Sequence, residues 1–244
     1  MTRAGEILDR IPTIADFFVP KTEMRRRSDE SWQRNPPPTH PSLRGRGEGG
    51  GTPPILSVDF SQENLEGVTL YSGSRENGAF RFTDAESRIR LQSLGNLSSF
   101  TVLIDVKVDQ LRGGFNPILM SEQEKSGGIL WNIRASGAMV CGFHRTKTSA
   151  SKTVETPIVF TNELLKEWGR LGLAFDKEAG RMSVYLNGNL ICTKKLSNRR
   201  TPDLNEVDIG NWRLKTDNVD HLDGAVKNIM VFDRALELNE IRNR

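Results

Sequence analysis

Between Phe100 and Leu111 the chain alternates almost cleanly, with Val102, Ile104, Val106 and Val108 on one side and Leu103, Asp105, Lys107 and Asp109 on the other. A period of two with one apolar and one mostly polar face predicts a half-buried β-strand. The pattern returns in Trp168–Gly188, where LGLAF and MSVYL alternate around the connector DKEAG, and Asn187-Gly188 bends the chain before LICTKKL. Asn and Gly tolerate positive φ, so these segments predict three strands in a meander. Shorter runs read the same way: ILSVDFS from Ile55 to Ser61, VTLYS, GAFRFT, SRIRLQS, NPILMSE, GGILWNIRA and AMVCGFHRT. The polar KTSASKTVET reads as a surface loop before PIVF. Strands at this spacing, each with one core face, predict a two-layer all-β sandwich. FDRALELNEI predicts a short helical turn near the end. Glu237 stands where a Ser or Thr would cap it, with Glu240 after, so half of the capping box is missing and fraying is expected.

Upstream the pattern changes twice. In residues 1–20, Ile7, Leu8, Ile11, Ile14, Phe17 and Phe18 fall close to helical spacing, and Pro12 can begin a helix, so a short helix near Pro12–Val19 is expected, or the remnant of a preceding domain. Residues 21–54 hold almost nothing apolar besides Trp32 and Leu43, and their Pro, Gly and Arg content predicts a disordered linker. GRGEGG (Gly45–Gly50) matches a dinucleotide fingerprint by letter only. That motif needs a strand before it and a helix after it, whereas a proline-rich run precedes it and Pro53-Pro54 follows. The β domain is expected over 55–244.

Four features in order carry a family resemblance: a Trp opening a strand (Trp168), the Tyr-Leu-Asn-Gly turn, IGNW (Ile209–Trp212) and DGAVKNIMVFDRALELNEI (Asp223–Ile241). With them the chain from Ile55 to Arg244 resembles the laminin-G-like branch of the concanavalin A-like lectin/glucanase superfamily. The resemblance implies a jelly-roll sandwich of two antiparallel sheets. The look-alikes that share IGNW and FDRAL are attached to bacterial FecR-like anti-sigma regulators, notably in planctomycetes, which implies an extracytoplasmic setting if the chain is a fragment.

Composition narrows the function classes. With 34 basic and 31 acidic residues the net charge is +3, too small an imbalance to point to nucleic acid. The local excess, seven basic against three acidic residues between Lys21 and Arg46, lies in the linker. No apolar run approaches the roughly 18 residues a membrane helix needs. The start, MTRAGEILDRIP, lacks the apolar stretch and cleavage site of a signal peptide. Cys141 and Cys192 sit on different predicted strands without metal spacing, so two reduced core thiols are the default. A bridge would need adjacent strands with Cα atoms about 5.5 Å apart. Oligomeric state is not legible.

The chemistry of the superfamily's glucanases implies acids projecting from one strand, but the nearest pair, Glu122 and Glu124, lies in the polar turn SEQEKSGG without flanking apolar residues. Nucleophilic catalysis lacks a base: His40 is in the linker, His144 is expected as a surface imidazole at a strand end, and His221 has no motif around it. No catalytic residue is assigned. Many laminin-G-like domains hold calcium at a sandwich rim, and Asp59, Asp217, Asp220 and Asp223 offer hard oxygen ligands, Asp59 and Asp223 foremost, although Lys227-Asn228 stand where related domains carry an acid. Sugar binding needs an exposed aromatic beside polar partners. Trp168 and Trp212 fall at positions that look structural in the family. Trp131 alternates in step with Ile133, which suits the core, but it heads a candidate ligand set with Arg145 and Arg213, both in loops. The expected role is a non-catalytic recognition domain that binds a glycan or protein through rim loops. A degenerate glucanase-like hydrolase and a structural spacer are the alternatives.

Overall fold

The alternating stretch after Phe100 is a strand, Phe100–Gln110, in the middle of the first of two antiparallel sheets. The computed structural model describes residues 52–121, 127–144, 152–196, 201–212 and 221–244. Along them run β1 (Leu56–Asp59), β2 (Val68–Tyr71), β3 (Ser74–Glu76), β4 (Ala79–Arg81), β5 (Arg88–Leu91), β6 (Phe100–Gln110), β7 (Phe115–Ser121) and β8 (Ile129–Arg134). They continue as β9 (Ala138–Phe143), β10 (Lys152–Ile158), β11 (Trp168–Asp176), β12 (Arg181–Leu186), β13 (Asn189–Lys195), β14 (Val207–Ile209) and β15 (Asp223–Phe232), with one short helix, α1 (Leu238–Arg242). The helix expected near Pro12–Val19 and the arm as far as residue 51 lie outside the described residues.

The first sheet runs β13-β12-β11-β6-β15-β4-β3, and β1 and β4 share one edge of β15. The second runs β10-β9-β8-β7-β14-β5-β2. Every strand pair is antiparallel, and the two sheets form the sandwich expected from the alternation. Core-facing residues of both sheets merge into one cluster. Phe143 of β9 meets Phe175 of β11 edge-on, with ring centroids 5.0 Å apart, which fastens the second sheet to the first. Trp131, Ile104, Ile118 and Val226 in the same cluster are fully buried.

Three expectations change. KTSASKTVET is not all loop: its second half forms β10, an edge strand whose Val154 faces the core and whose Pro157 is tolerated because it falls in a break of the β9 pairing and no further strand among the described residues pairs with that edge. Leu103, expected on the wet side of β6, is buried. It lies in a second, smaller core with Ala174, Tyr185, Phe232, Leu236 and Ile241, where the segment around α1 covers part of the first sheet's outer face. α1 is also better held than half a capping box suggests. The Glu240 carboxylate accepts the Glu237 backbone N–H at 3.1 Å and grips Arg234 through both of its oxygens, and Arg234 holds the Glu240 carboxyl below its ordinary pKa.

Gly210 of IGNW shows why that motif carries a glycine. Its φ is +84°, and a methyl group there would overlap the buried Phe82 ring. Gly210→Ala is therefore expected to cost about 2 kcal/mol, combining left-handed backbone strain with displacement of Phe82, and urea unfolding would measure the loss.

Candidate functional site

Pairing in the second sheet sets one continuous row across all seven strands: Thr69, Arg90, Asp208, Met120, Leu130, Gly142 and Thr153 are successive cross-strand partners. Their strand neighbours Ile89, Ile209, Ile129 and Trp131 point into the core, so this row lies on the outer face. On that face Arg90 and Asp208 form a two-pronged ion pair, Nη2 to Oδ2 at 2.8 Å and Nε to the other oxygen. The pair is well covered, with side-chain exposures of 18% and 6%, and Asp208 raises the Arg90 pKa above its ordinary value. Two residues along the strands, the Arg88 guanidinium stacks over the Tyr71 ring, 4.0 Å from its centroid. Tyr71 itself is exposed.

The middle of the face is apolar and roofed. Met120, Leu130 and Val140 form a small buried cluster with Trp212. The Trp212 indole stacks on the His144 imidazole, with centroids 5.9 Å apart and planes 20° apart. His144 is thus buried, not the surface imidazole expected of a strand end. Burial lowers its pKa to about 4, against which the backbone carbonyls of Ile129 and Ser121 pull weakly upward. Beside the roof, the buried Asn132 side chain leaves its Oδ1 without a hydrogen-bond partner among the described residues.

Arg90→Ala would strand the covered Asp208 carboxylate. The expected cost is roughly 2 kcal/mol, read as a lower urea midpoint, and Asp208→Asn in the same chain should recover part of it.

The residues singled out from sequence are not brought together. Trp131 is fully buried in the core, so it offers no stacking platform. Arg145, Arg213, Asp217, Asp220, Glu122 and Glu124 lie outside the described residues, although His144 and Trp212, which precede the two arginines, are the stacked pair. Asp59 and Asp223 are not neighbours. Asp59 sits opposite Asn228, five residues along β15 from Asp223, a separation of roughly 17 Å at strand rise. The Asp223 carboxylate is engaged by Gln110 and Arg112, and that of Asp59 accepts bonds from Ser61 and Gln62. Among the described residues no three acids, cysteines or histidines converge as metal ligands. Cys141 and Cys192 are free thiols, and burial pushes the pKa of both upward. Trp168, expected to be structural, is 39% exposed.

A family model described as Laminin_G_3, of the concanavalin A-like lectin/glucanases superfamily, matches residues 76–242. The chain belongs to this family. The Laminin_G_3 match takes in Arg88, Arg90, Asp208 and the His144–Trp212 stack, while Tyr71 lies just ahead of it. No curated protein matches the chain. Among solved structures, the ligand binding domain of botulinum neurotoxin serotype D in complex with N-acetylneuraminic acid is similar at TM-score 0.62 and 15% identity, over 78% of this chain and 50% of that one. The binding domain of botulinum neurotoxin DC in complex with rat synaptotagmin II is similar at TM-score 0.57 and 13% identity, with the same coverage. The CBM40 of the Ruminococcus gnavus IT-sialidase, bound to α2,6 sialyllactose, is similar at TM-score 0.52 and 14% identity, over 68% of this chain and 95% of that one. The Laminin_G_3 chain thus spans half the length of the toxin binding domains, and at such identities the likeness is one of fold.

Proposed function

We propose that this Laminin_G_3 chain is a non-catalytic recognition domain whose ligand, a saccharide in the first instance, docks on the outer face of the second sheet. The observation that carries the reading is the Tyr71–Arg88 stack beside the Arg90–Asp208 pair. An exposed aromatic ring next to fixed donors and acceptors is what a sugar ring requires, and these groups are already held in place before any ligand arrives. The toxin and CBM40 structures support the reading, since in them this fold is seen in complex with N-acetylneuraminic acid and with sialyllactose. The synaptotagmin complex supports a protein ligand as the second possibility.

Glycoside hydrolysis is disfavoured on the same face. Glycosidic cleavage needs one carboxyl kept protonated near a second acid, but Asp208 is tied to Arg90, and Glu155 faces Arg134 at 3.4 Å. Glycan-array screening of the full chain, with and without calcium, tests the proposal. Retention of a sugar that Arg88→Ala or Tyr71→Ala abolishes supports it. No retained sugar, together with no thermal shift on adding calcium, favours a spacer or a protein-binding role. Turnover of a laminarin-type substrate that disappeared in Glu122→Gln would revive the hydrolase. The wider setting proposed is the extracytoplasmic part of a FecR-like regulator or similar surface protein. A membrane helix or FecR-like repeat encoded upstream in the same reading frame would support that setting. No helix among the described residues is itself long and apolar enough to cross a membrane.

A further inference from the structure

The opposite face of the sandwich carries a second aromatic platform. Trp168 opens β11 on the outer side of the first sheet, directly across from Lys107 of β6, and is 39% exposed. The Lys227 ammonium stands 5.0 Å from its ring centroid and that of Lys107 5.8 Å. A bulge in β15 puts Lys227 there. The register shifts between Val226 and Asn228, so Lys227 and Asn228, neighbours in sequence, both leave the core: Asn228 bonds Asp105 at 2.8 Å and Lys227 reaches the indole. Regular alternation would have turned one of the two inward.

Charge on this face is distributed unequally. Arg170 and Asp105 satisfy each other through two bonds, and Arg81 bonds Asp109 at 2.7 Å. Lys107 approaches Asp109 only to 4.0 Å, and Lys227 makes no ion pair among the described residues. The cations that stand over the indole itself are these two ammoniums, on a face that also carries the carboxylates of Asp59, Asp105 and Asp109. The geometry points to a binding site for an acidic saccharide, one whose ring carries a carboxylate or a sulfate: the apolar side of the ring packs on Trp168 and the anion is held by Lys107 and Lys227. This site is separate from the Tyr71–Arg88 face and does not rest on the function proposed for it.

The same observations weigh against other anions. β6 and β11 are each paired on both edges, so an acidic peptide has no free strand edge to extend beside Trp168. An anionic membrane surface needs a broad basic face, which Asp59, Asp105, Asp109 and Glu76 interrupt here, whereas a single anion on a sugar ring needs only the two ammoniums at the indole.

Titration of the full 244-residue chain with a chondroitin sulfate hexasaccharide and, separately, with an oligogalacturonate of matching length tests the site, followed by the indole N–H resonances in proton–nitrogen NMR spectra. Trp168→Phe assigns the resonance. The expected result is a saturable shift of the Trp168 signal with at least one of the two, which also tells sulfate from carboxylate, and none with cellohexaose. Trp168→Ala should abolish binding. The double variant Lys107→Gln, Lys227→Gln should weaken it at least about tenfold while shifting the melting temperature little, since both side chains are only partly buried and neither ammonium holds a short ion pair among the described residues. The proposal is overturned if neither acidic oligosaccharide moves the resonance at millimolar concentration, if binding persists in Trp168→Ala, or if poly-glutamate binds as tightly as the saccharides.

Discussion

Trp131→Ala is expected to lower stability by about 3–5 kcal/mol, the largest effect of any single truncation considered for this protein. The indole is fully buried in the middle of β8 and packs in the main core among residues of both sheets. Removing it leaves a cavity that the two closely packed layers have little freedom to close. For a domain of this size the loss should appear as a fall in melting temperature of roughly 6–20 °C. The Trp131 Nε1 is buried with no hydrogen-bond partner among the described residues, so Trp131→Phe removes an already unsatisfied donor along with part of the ring, and it should cost well under half as much. Urea unfolding of both variants checks this. The outcome that would contradict a core role is an alanine variant of near-normal stability that has lost a ligand, which is how an exposed sugar platform would behave.

Trp131 also marks the boundary between what the sequence makes legible and what it does not. Period-two alternation locates nearly every strand because the burial of one face is a local, repeated signal. The step of Trp131 with Ile133 already suits the core. Leu103 shows the first limit. Nothing in β6 itself announces that α1, more than 130 residues later, folds back over the outer side of the strand, so an apolar residue on the wet side reads as an exception until the second core is seen. β10 shows another, because Lys152, Thr153 and Glu155 look like loop until β9 supplies an edge to pair with. The candidate site was the least legible part. Arg90 and Asp208 are 118 residues apart and meet only because β5 and β14 are adjacent in the second sheet. Tyr71 and Arg88 likewise depend on the pairing of β2 with β5. Loop arginines and tryptophans were the natural candidates from composition. Yet which tryptophan is exposed depends on which face of which sheet it occupies, and the sheet order that decides this is a long-range property. The IGNW motif was legible as a landmark before its cause was: Ile209 fills the core, Gly210 takes a left-handed bend over Phe82, the Asn211 side chain bonds the Ala85 carbonyl, and Trp212 roofs the outer face.

The second large effect is on pH dependence and comes from His144. In the unfolded chain its imidazole titrates near 6.5, and in the folded protein burial beneath Trp212 holds the pKa at about 4. Between those values the unfolded state binds a proton that the folded state refuses, so stability falls with falling pH. His144 contributes its full share above about pH 6.5 and loses it progressively down to about pH 4, a change of roughly 3 kcal/mol at most. Carboxylates such as Glu240, held below its ordinary pKa by Arg234, add their own loss at the lower end of that range, so the His144 share is read as a difference. Urea midpoints of the native chain and of His144→Gln, measured from pH 7.5 down to pH 4, should converge as the pH falls, because the variant lacks the group that titrates. Parallel curves would mean that His144 is not excluded from water as the stack implies. Convergence has a consequence for the site as well. A neutral, covered imidazole adds no charge to the second sheet's outer face at neutral pH, which leaves Arg88 and the Arg90–Asp208 pair to set its electrostatics. Any ligand affinity there should stay flat between pH 6 and 8. A midpoint near pH 6.5 in the binding curve would instead require that the ligand opens the His144–Trp212 roof.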